Sequence, residues 1–465
     1  MSVPDLCTHV SVFLDSLKLK AGRKLVLAYS GGVDSEVLAY CLSKYAKQHG
    51  ELQYQLVYVH HGLSQHADAW AQHCITRGQH YGLPTIIEHV QVKLGPRMSI
   101  EAEARRMRYQ AIEQHVGSDD LLLTAHHEDD QLETILLALK RGQGPKGLAA
   151  MGQIQPLMQG IQVRPLLDVS REHIEAYASA NGLVHIEDES NQDDKYDRNF
   201  LRLDIIPRLK ARWSSIATTA SRSAFLCAEQ QTVIDTEVSL RLPTWLTQAK
   251  FTQQTVFNLN GFDTLTPSWQ ALLLRGFIES QGFALPSFVQ LNQIIHQLLN
   301  AKDDAKVLIR VGDCALRRFA NQLYLEHYSK HVKSSTEYAK KCIDISESSL
   351  SMLINGDIET LVIPDPQGRN IQFGLSQQGP RLKLPPVNTV VSVRYQLPGQ
   401  LRCHPHNRSK GRELKKLWQE YAVPPWLRGQ VGFVFYGEQM VMALDLWIEK
   451  AFCVEDEAIG LLQHQ

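Results

Sequence analysis

Six consecutive residues constrain this chain more than any other feature. Ser30-Gly31-Gly32-Val33-Asp34-Ser35 directly follows the apolar run 24–29 (KLVLAY) and opens a helical pattern reaching about residue 48. A buried strand that turns on two glycines into a helix leaves backbone N–H groups free at the helix start. Those groups, the helix dipole and two serine hydroxyls together form an anion site. The same turn also reads as an ordinary capped junction, with Ser or Asp satisfying backbone donors. The full hexapeptide in a strand–helix setting favours phosphate. The Walker A pattern, with its Gly-Lys-Ser or Gly-Lys-Thr end, is absent.

The surrounding pattern alternates. Segments 55–59, 85–92 and 121–124 read as strands, and 68–81, 99–115 and 129–141 as helices. In the last helix Leu132, Ile135, Leu136 and Leu139 fall at i, i+3, i+4 and i+7. Strand and helix in alternation predict an α/β fold, a parallel sheet covered on both faces. After residue 213 the text changes. Residues 214–300 read as helical, broken by Pro243, Pro267 and Pro286, and 306–328 alternate like a β-meander. From about 350, short strands and Pro/Gly turns surround one helix near 412–421. The expected organisation is a catalytic domain over 1–213, a mainly helical middle domain over 214–330, a connection over 331–349 and an α+β domain over 350–465.

Charge narrows the partners only slightly: 48 Lys+Arg balance 49 Asp+Glu, which excludes a histone-like coat but not a local basic face. No two of the eight cysteines are close in sequence, so no C-x-x-C pair and no dense disulfide framework is expected. Scattered thiols, the absence of a signal-peptide pattern at 1–15 and the polar residues within 280–301 predict a cytoplasmic chain with no membrane partner.

Beyond the loop, His126, Asp130 and Glu133 fall at i, i+4 and i+7 after the strand at 121–124, where α/β ligand sites form. Asp129 and Asp130 also suit the positive end of a helix dipole, which alone accounts for Asp129 as well as a site does. A zinc site is the weaker alternative, because no H-E-x-x-H order is present; no metal-ligand set is assigned. Arg105 and Arg108, three apart on one helix, are placed to meet polyphosphate or a base, whereas Arg106 reads as an ion-paired surface residue beside Glu101 and Glu103. Arg198, Arg202, Arg208, Lys210 and Arg212 face only Asp204. Between 402 and 428, Arg408, Arg412, Lys415 and Lys416 belong to seven basic residues interleaved with His404, His406, Trp418, Tyr421 and Trp426, a composition that suits RNA. His61 before Gly62 shapes a turn or touches a ligand.

Ser30–Ser35 resembles the PP-loop of the N-type ATP pyrophosphatases. Together with His60-His61-Gly62-Leu63, the 101–109 run EAEARRMRY, the 124–134 run TAHHEDDQLET, Arg164-Pro165-Leu166-Leu167, Asp188-Glu189-Ser190-Asn191 and Arg198-Asn199-Phe200-Leu201-Arg202, it resembles the tRNA(Ile)-lysidine synthetase family. The resemblance is strong over about 210 residues and weaker from Pro398 to Arg428. It implies an adenine-nucleotide α-hydrolase-like domain and ATP-dependent attachment of L-lysine to carbon 2 of the wobble cytidine in a CAU-anticodon tRNA(Ile), through an adenylated cytidine. It implies ATP on Ser30–Ser35 with Mg²⁺, His126 at the α-phosphate, Asp34 with Glu133 at lysine, and Asp130 with Arg105 at the base. Arg108, Arg198, Arg202, Arg408, Arg412, Lys415 and Lys416 are expected to touch tRNA. It is compatible with a homodimer. The alternatives are a PP-loop tRNA thiolase, which generally carries paired cysteines near the loop where none stand here, and an RNA-binding protein that keeps an ATP fold as a switch.

Overall fold

The computed structural model describes residues 5–62, 64, 66–91, 100–157, 159–187, 189, 193, 195–301, 307–328, 342–365, 370–455 and 458–464. Leu63, Asp188, Ser190 and Asn191 of the quoted motifs, and 331–341 of the expected connection, lie outside them. The chain forms two compact units, Met1–Asp235 and Thr236–Gln465.

In the first unit, helix α1 (Leu6–Ser16) precedes β1 (Lys24–Ala28), α2 (Val33–Ala46), β2 (Gln53–His60), α3 (Ala67–Tyr81), β3 (Thr85–His89), α4 (Ile100–Glu113), β4 (Leu121–Leu123) and α5 (Glu128–Lys140). Helix α6 (Pro145–Leu148), β5 (Ile154–Pro156), β6 (Ile161–Val163) and α7 (Arg171–Ala180) follow. The sheet order is β3-β2-β1-β4-β6-β5, parallel throughout except for the edge pair β5–β6. Leu25, Val26 and Leu27 of β1 are fully buried, as a strand covered on both faces requires.

The order matters for function. The chain winds from β1 outward through β2 to β3, then returns to place β4 on the other side of β1. Leu27 pairs in register with Leu123, so the segments after Ala28 and Leu123 leave the same sheet edge side by side. Such a reversal opens a crevice at the carboxyl ends of the two strands.

Helices α8 (Asp197–Phe200), α9 (Ile206–Arg212) and α10 (Ile216–Arg241) continue the chain, with a π-helical turn, Leu201–Ile205, between α8 and α9. Pro207 has no N–H to give the carbonyl four residues back, and the helix widens just before it. That widened turn carries Arg202.

The second unit differs from the expected helical middle. Helices α11 (Pro267–Ser280) and α12 (Phe288–Asn300) are present. They share an apolar core with a five-stranded sheet whose neighbouring strands run antiparallel: Leu246–Gln248, Thr255–Asn258, Gln322–His327, Cys314–Phe319 and Leu308–Val311, in that order. The meander at 308–327 matches its alternating pattern. The two earlier strands are three and four residues long, too short to establish a period of two. The last part holds two further five-stranded antiparallel sheets, one of them beginning at Ile343–Ile345, and the helices Glu347–Ile354 and Leu414–Glu420. Among the described residues no helix is long and apolar enough to cross a membrane.

Candidate active site

The loop after β1 is built around Gly31. Its φ of +78° favours glycine, and an added Cβ would lie 2.5 Å from Ile186 Cδ1, which would have to move. Gly31 O accepts from Ile186 N at 2.8 Å, which ties the loop to the segment after α7. Ser35 Oγ donates to Gly32 O at 3.0 Å and accepts from Ser30 N at 3.3 Å, while Ser30 Oγ lies 3.1 Å from it. The serines thus brace the turn. No side chain caps α2, whose N-cap is Gly32, so its first-turn amides keep their donor capacity.

Beneath the loop, Glu36 is fully buried and accepts from the hydroxyls of Tyr29 and Tyr81 and, at 2.7 Å, from Arg77 Nε. A buried carboxylate is tolerable only with such partners. Because Tyr29 immediately precedes Ser30, the cluster anchors the loop's entry to α3.

The segment after β4 faces the loop. Thr124 Oγ1 accepts from Gln162 Nε2 at 3.2 Å, and His126 Nδ1 is 2.9 Å from the same oxygen. With the threonine proton given to Nδ1, the imidazole proton sits on Nε2. Gln162 is held in turn by Arg164 NH2 at 2.8 Å. Burial, reinforced by Arg164, Arg105 and Arg198 against the opposing Asp130, brings the His126 pKa down to about 4. His126 is therefore a neutral donor at pH 7.

His127 is the N-cap of α5, and its N–H donates to Asp130 Oδ2 at 3.1 Å. His127 Nε2 lies 3.7 Å from Asp34 Oδ1, and Asp34 Oδ2 lies 3.9 Å from Arg171. Asp34 Oδ1 and His127 Nδ1 are buried without a hydrogen-bond partner. Burial raises the Asp34 pKa above the usual carboxylate range, with His127 and Arg171 opposing it. Asp129 pairs with Lys210 at 2.7 Å.

Arg202 stands differently from its expected place on a tRNA-facing surface. Its Nε donates to Glu133 Oε1 at 2.7 Å and its NH2 to Asp130 Oδ1 at 3.0 Å. Glu133 is only 1% exposed. The two carboxylates expected at lysine and base are thus joined behind one guanidinium. Burial raises the Asp130 pKa, but His127, His126 and Arg202 outweigh it and leave the carboxyl below its ordinary value.

Loop, His126, Asp34 and Arg202 line a cavity of about 1010 Å³, together with Arg105 and Arg108 of α4. Arg105 sits over the Tyr109 ring at 5.2 Å, and Arg108 Nε is 3.3 Å from His61 Nε2. Burial and then Arg108 bring His61 to a pKa of about 4, so His61 accepts from Arg108 as a neutral ring. Arg106 is paired with Glu103, as expected of a surface ion pair. Arg198, half-buried on α8, adds positive field at His126.

In the second unit, Arg408 and Arg412 both pair with Glu420, the latter at 2.9 Å. Lys415 pairs with Glu413 at 3.1 Å, and Lys416 is exposed. Trp418 departs from its expected role at RNA: it is buried against Leu414, Leu417, Phe433 and Trp447.

The chain matches three family models in order: the PP-loop domain over residues 6–209, the TilS substrate binding domain over 257–324 and the TilS substrate C-terminal domain over 391–464. It is 62% identical to a tRNA(Ile)-lysidine synthase of Shewanella oneidensis, across 99% of this chain and 98% of that protein. This chain belongs to the tRNA(Ile)-lysidine synthase family. A tRNA(Ile)-lysidine synthase of Vibrio vulnificus is 40% identical across 97% of this chain and 98% of its own length. Among solved structures, the U34-tRNA thiolase NcsA from Methanococcus maripaludis matches over 47% of this chain and 76% of its own at TM-score 0.40 and 18% identity.

Two groups at the cavity escaped sequence reasoning, Thr124 as the support of His126 and Arg171 beside Asp34, as did Glu36 buried under the loop. Arg171 opens α7 after the Ser170 cap, a position that signals a helix start and nothing about a ligand.

Proposed function

We propose that this chain ligates L-lysine to carbon 2 of the wobble cytidine of a CAU-anticodon tRNA(Ile), with ATP cleaved to AMP and pyrophosphate. The product decodes AUA in place of AUG. The observation that carries this reading is the ordered match of one PP-loop domain and two substrate domains along a chain 62% identical to a lysidine synthase.

In the proposed chemistry, ATP phosphates lie on the loop Ser30–Ser35, at the uncapped first-turn amides of α2. The cytidine O2 attacks the α-phosphorus, and pyrophosphate leaves. His126, neutral and protonated on Nε2, donates to an α-phosphate oxygen, where charge accumulates. Mg²⁺ would be held by Asp34 of the phosphate loop, whose buried Oδ1 makes no hydrogen bond and has His127 Nε2 at 3.7 Å, together with the phosphates themselves. When bound, the ion neutralises phosphate charge.

In the second step the lysine ε-amine attacks carbon 2 and AMP departs. The amine must first lose a proton, and Asp34, with its raised pKa, is suited to accept it. Glu133 joins Asp34 at the ammonium only if Arg202 releases it, so the lysine cation takes over a position held by a guanidinium. Arg105 and Asp130 bind the base. The extruded base comes from a single-stranded loop, so its unstacking costs little.

Residues 1–213 are proposed as the catalytic domain and 214–330 and 350–465 as tRNA-recognition domains, with Arg108, Arg198, Lys415 and Lys416 at the tRNA. Arg408 and Arg412, paired with Glu420, take the same role when that pairing is given up for phosphate.

The test mixes protein, ATP, Mg²⁺ and radiolabelled lysine with transcripts of CAU-anticodon tRNA(Ile) or elongator tRNA(Met). Acid-stable label on the first alone supports the reading. ATP cleavage without label on either overturns it.

A further inference from the structure

Cys7 and Cys41 are 34 positions apart in sequence, yet their sulfurs are 3.2 Å apart, one on α1 and the other on α2. Both are free thiols. Cys41 is buried in the core of the first unit, and Cys7 is half-buried at its edge. A third group completes the arrangement: Tyr177 OH, on α7, lies 3.2 Å from Cys7 Sγ and 3.0 Å from Asp5 Oδ1.

This geometry gives the two sulfurs different capacities. The contacts of Cys7 Sγ with the Cys41 sulfur and the Tyr177 hydroxyl outweigh its burial and bring the Cys7 pKa down to about 7, whereas Cys41, next to it and enclosed, is raised. Cys7 is thus the sulfur that carries thiolate near neutral pH and is reachable from solvent. Cys41 is enclosed in the core. Closing the pair to a bond of about 2.05 Å asks the sulfurs to approach by roughly 1.2 Å, within the reach of side-chain rotation.

We propose that Cys7 and Cys41 form an oxidation site that hydrogen peroxide closes into an intramolecular disulfide, tying α1 to the helix that follows the ATP loop. The Cys7 thiolate attacks the terminal peroxide oxygen, the O–O bond breaks, and the departing hydroxide takes a proton from solvent to leave as water. The Cys7 sulfenic acid is then attacked by the Cys41 sulfur. The S–O bond breaks, the S–S bond forms, and a second water leaves with the Cys41 proton. Two thiols are oxidised by one peroxide, which is reduced to two waters. Neither sulfur lines the cavity of the ligation reaction, so the site is separate from it.

The experiment treats the full chain with one equivalent of hydrogen peroxide and reads it by mass spectrometry, intact and after digestion. The expected result is the loss of two hydrogen masses and one crosslinked peptide containing Cys7 and Cys41, both reversed by dithiothreitol. In Cys7→Ala, a change at a half-buried position, Cys41 stays reduced at the same dose. Oxidation that goes first to the exposed Cys342, or Cys7 sulfinic acid beside an unmodified Cys41, would overturn the proposal. So would Cys41 oxidation in Cys7→Ala at the wild-type rate.

Discussion

Arg202 and Glu133, 69 residues apart in sequence, meet in a two-point ion pair, Nε to Oε1 at 2.7 Å and NH2 to Oε2 at 3.2 Å. The same guanidinium also holds Asp130. Arg202 therefore neutralises two enclosed carboxylates with one guanidinium.

Removing that guanidinium leaves Glu133 without its ion pair and Asp130 with His127 alone. Arg202→Ala should cost about 3 kcal/mol, the low end of the 3–5 kcal/mol for breaking a buried pair, because its side chain is 30% exposed. Adding Glu133→Gln should return part of the loss, a coupling that urea unfolding of the four variants of a double-mutant cycle measures. Additive effects would mean that the pair contributes nothing as a pair.

The loop makes a sharper forecast. Gly31→Ala places a methyl against Ile186 at a positive φ, so ATP binding should fall by about tenfold or more, equivalent to about 1.4 kcal/mol or above. Gly142→Ala is the control. Its φ is +61° and nothing lies within 4 Å of the added Cβ, so backbone strain is its only cost and ATP titration should be unchanged.

Acid should weaken the first unit through His126. Its folded pKa, about 4, lies below the unfolded value of 6.5, so the unfolded chain binds the extra proton between those two values. Stability from this group is full above pH 6.5 and is lost as pH falls toward 4. From pH 7 to pH 5 the loss should be roughly 1–2 kcal/mol. Denaturation of His126→Gln at both pH values should show that much less acid sensitivity. His61, also held near 4, adds a slope of the same sign that His126→Gln leaves in place.

For the basic face, the ion pairs separate the candidates. Lys416 is exposed, and Lys415 is engaged only by a neighbouring surface carboxylate, so replacing both with Ala should weaken tRNA binding at low salt and lower the salt-dependence slope by about 1 for each phosphate no longer neutralised. Glu420→Gln should act the other way by releasing Arg408 and Arg412. Filter binding over a salt series reads both; an unchanged slope in the double-lysine variant would remove this face from the tRNA interface.

What the sequence determined by itself was local. The strand–Gly-Gly–helix turn and the meander at 308–327 rest on periodicity, glycine and spacing within a dozen residues, and each stands where that pattern puts it, whereas of the apolar stripe of α5 only Leu132 is fully buried and Leu139 is exposed. Tertiary structure decided the partners. A carboxylate reads the same in sequence whether it awaits an ammonium or is already met by Arg202, because its neighbour is chosen by packing 69 residues away. Trp418 reads as an aromatic among basic residues, and only the closure of its helix onto Phe433 and Trp447 makes it core. Cys7 and Cys41 read as isolated thiols until α1 packs on α2. Backbone conformation answers to short-range sterics and patterning, whereas a side chain's charge state, burial and reactivity answer to whichever groups the fold brings within a few ångströms.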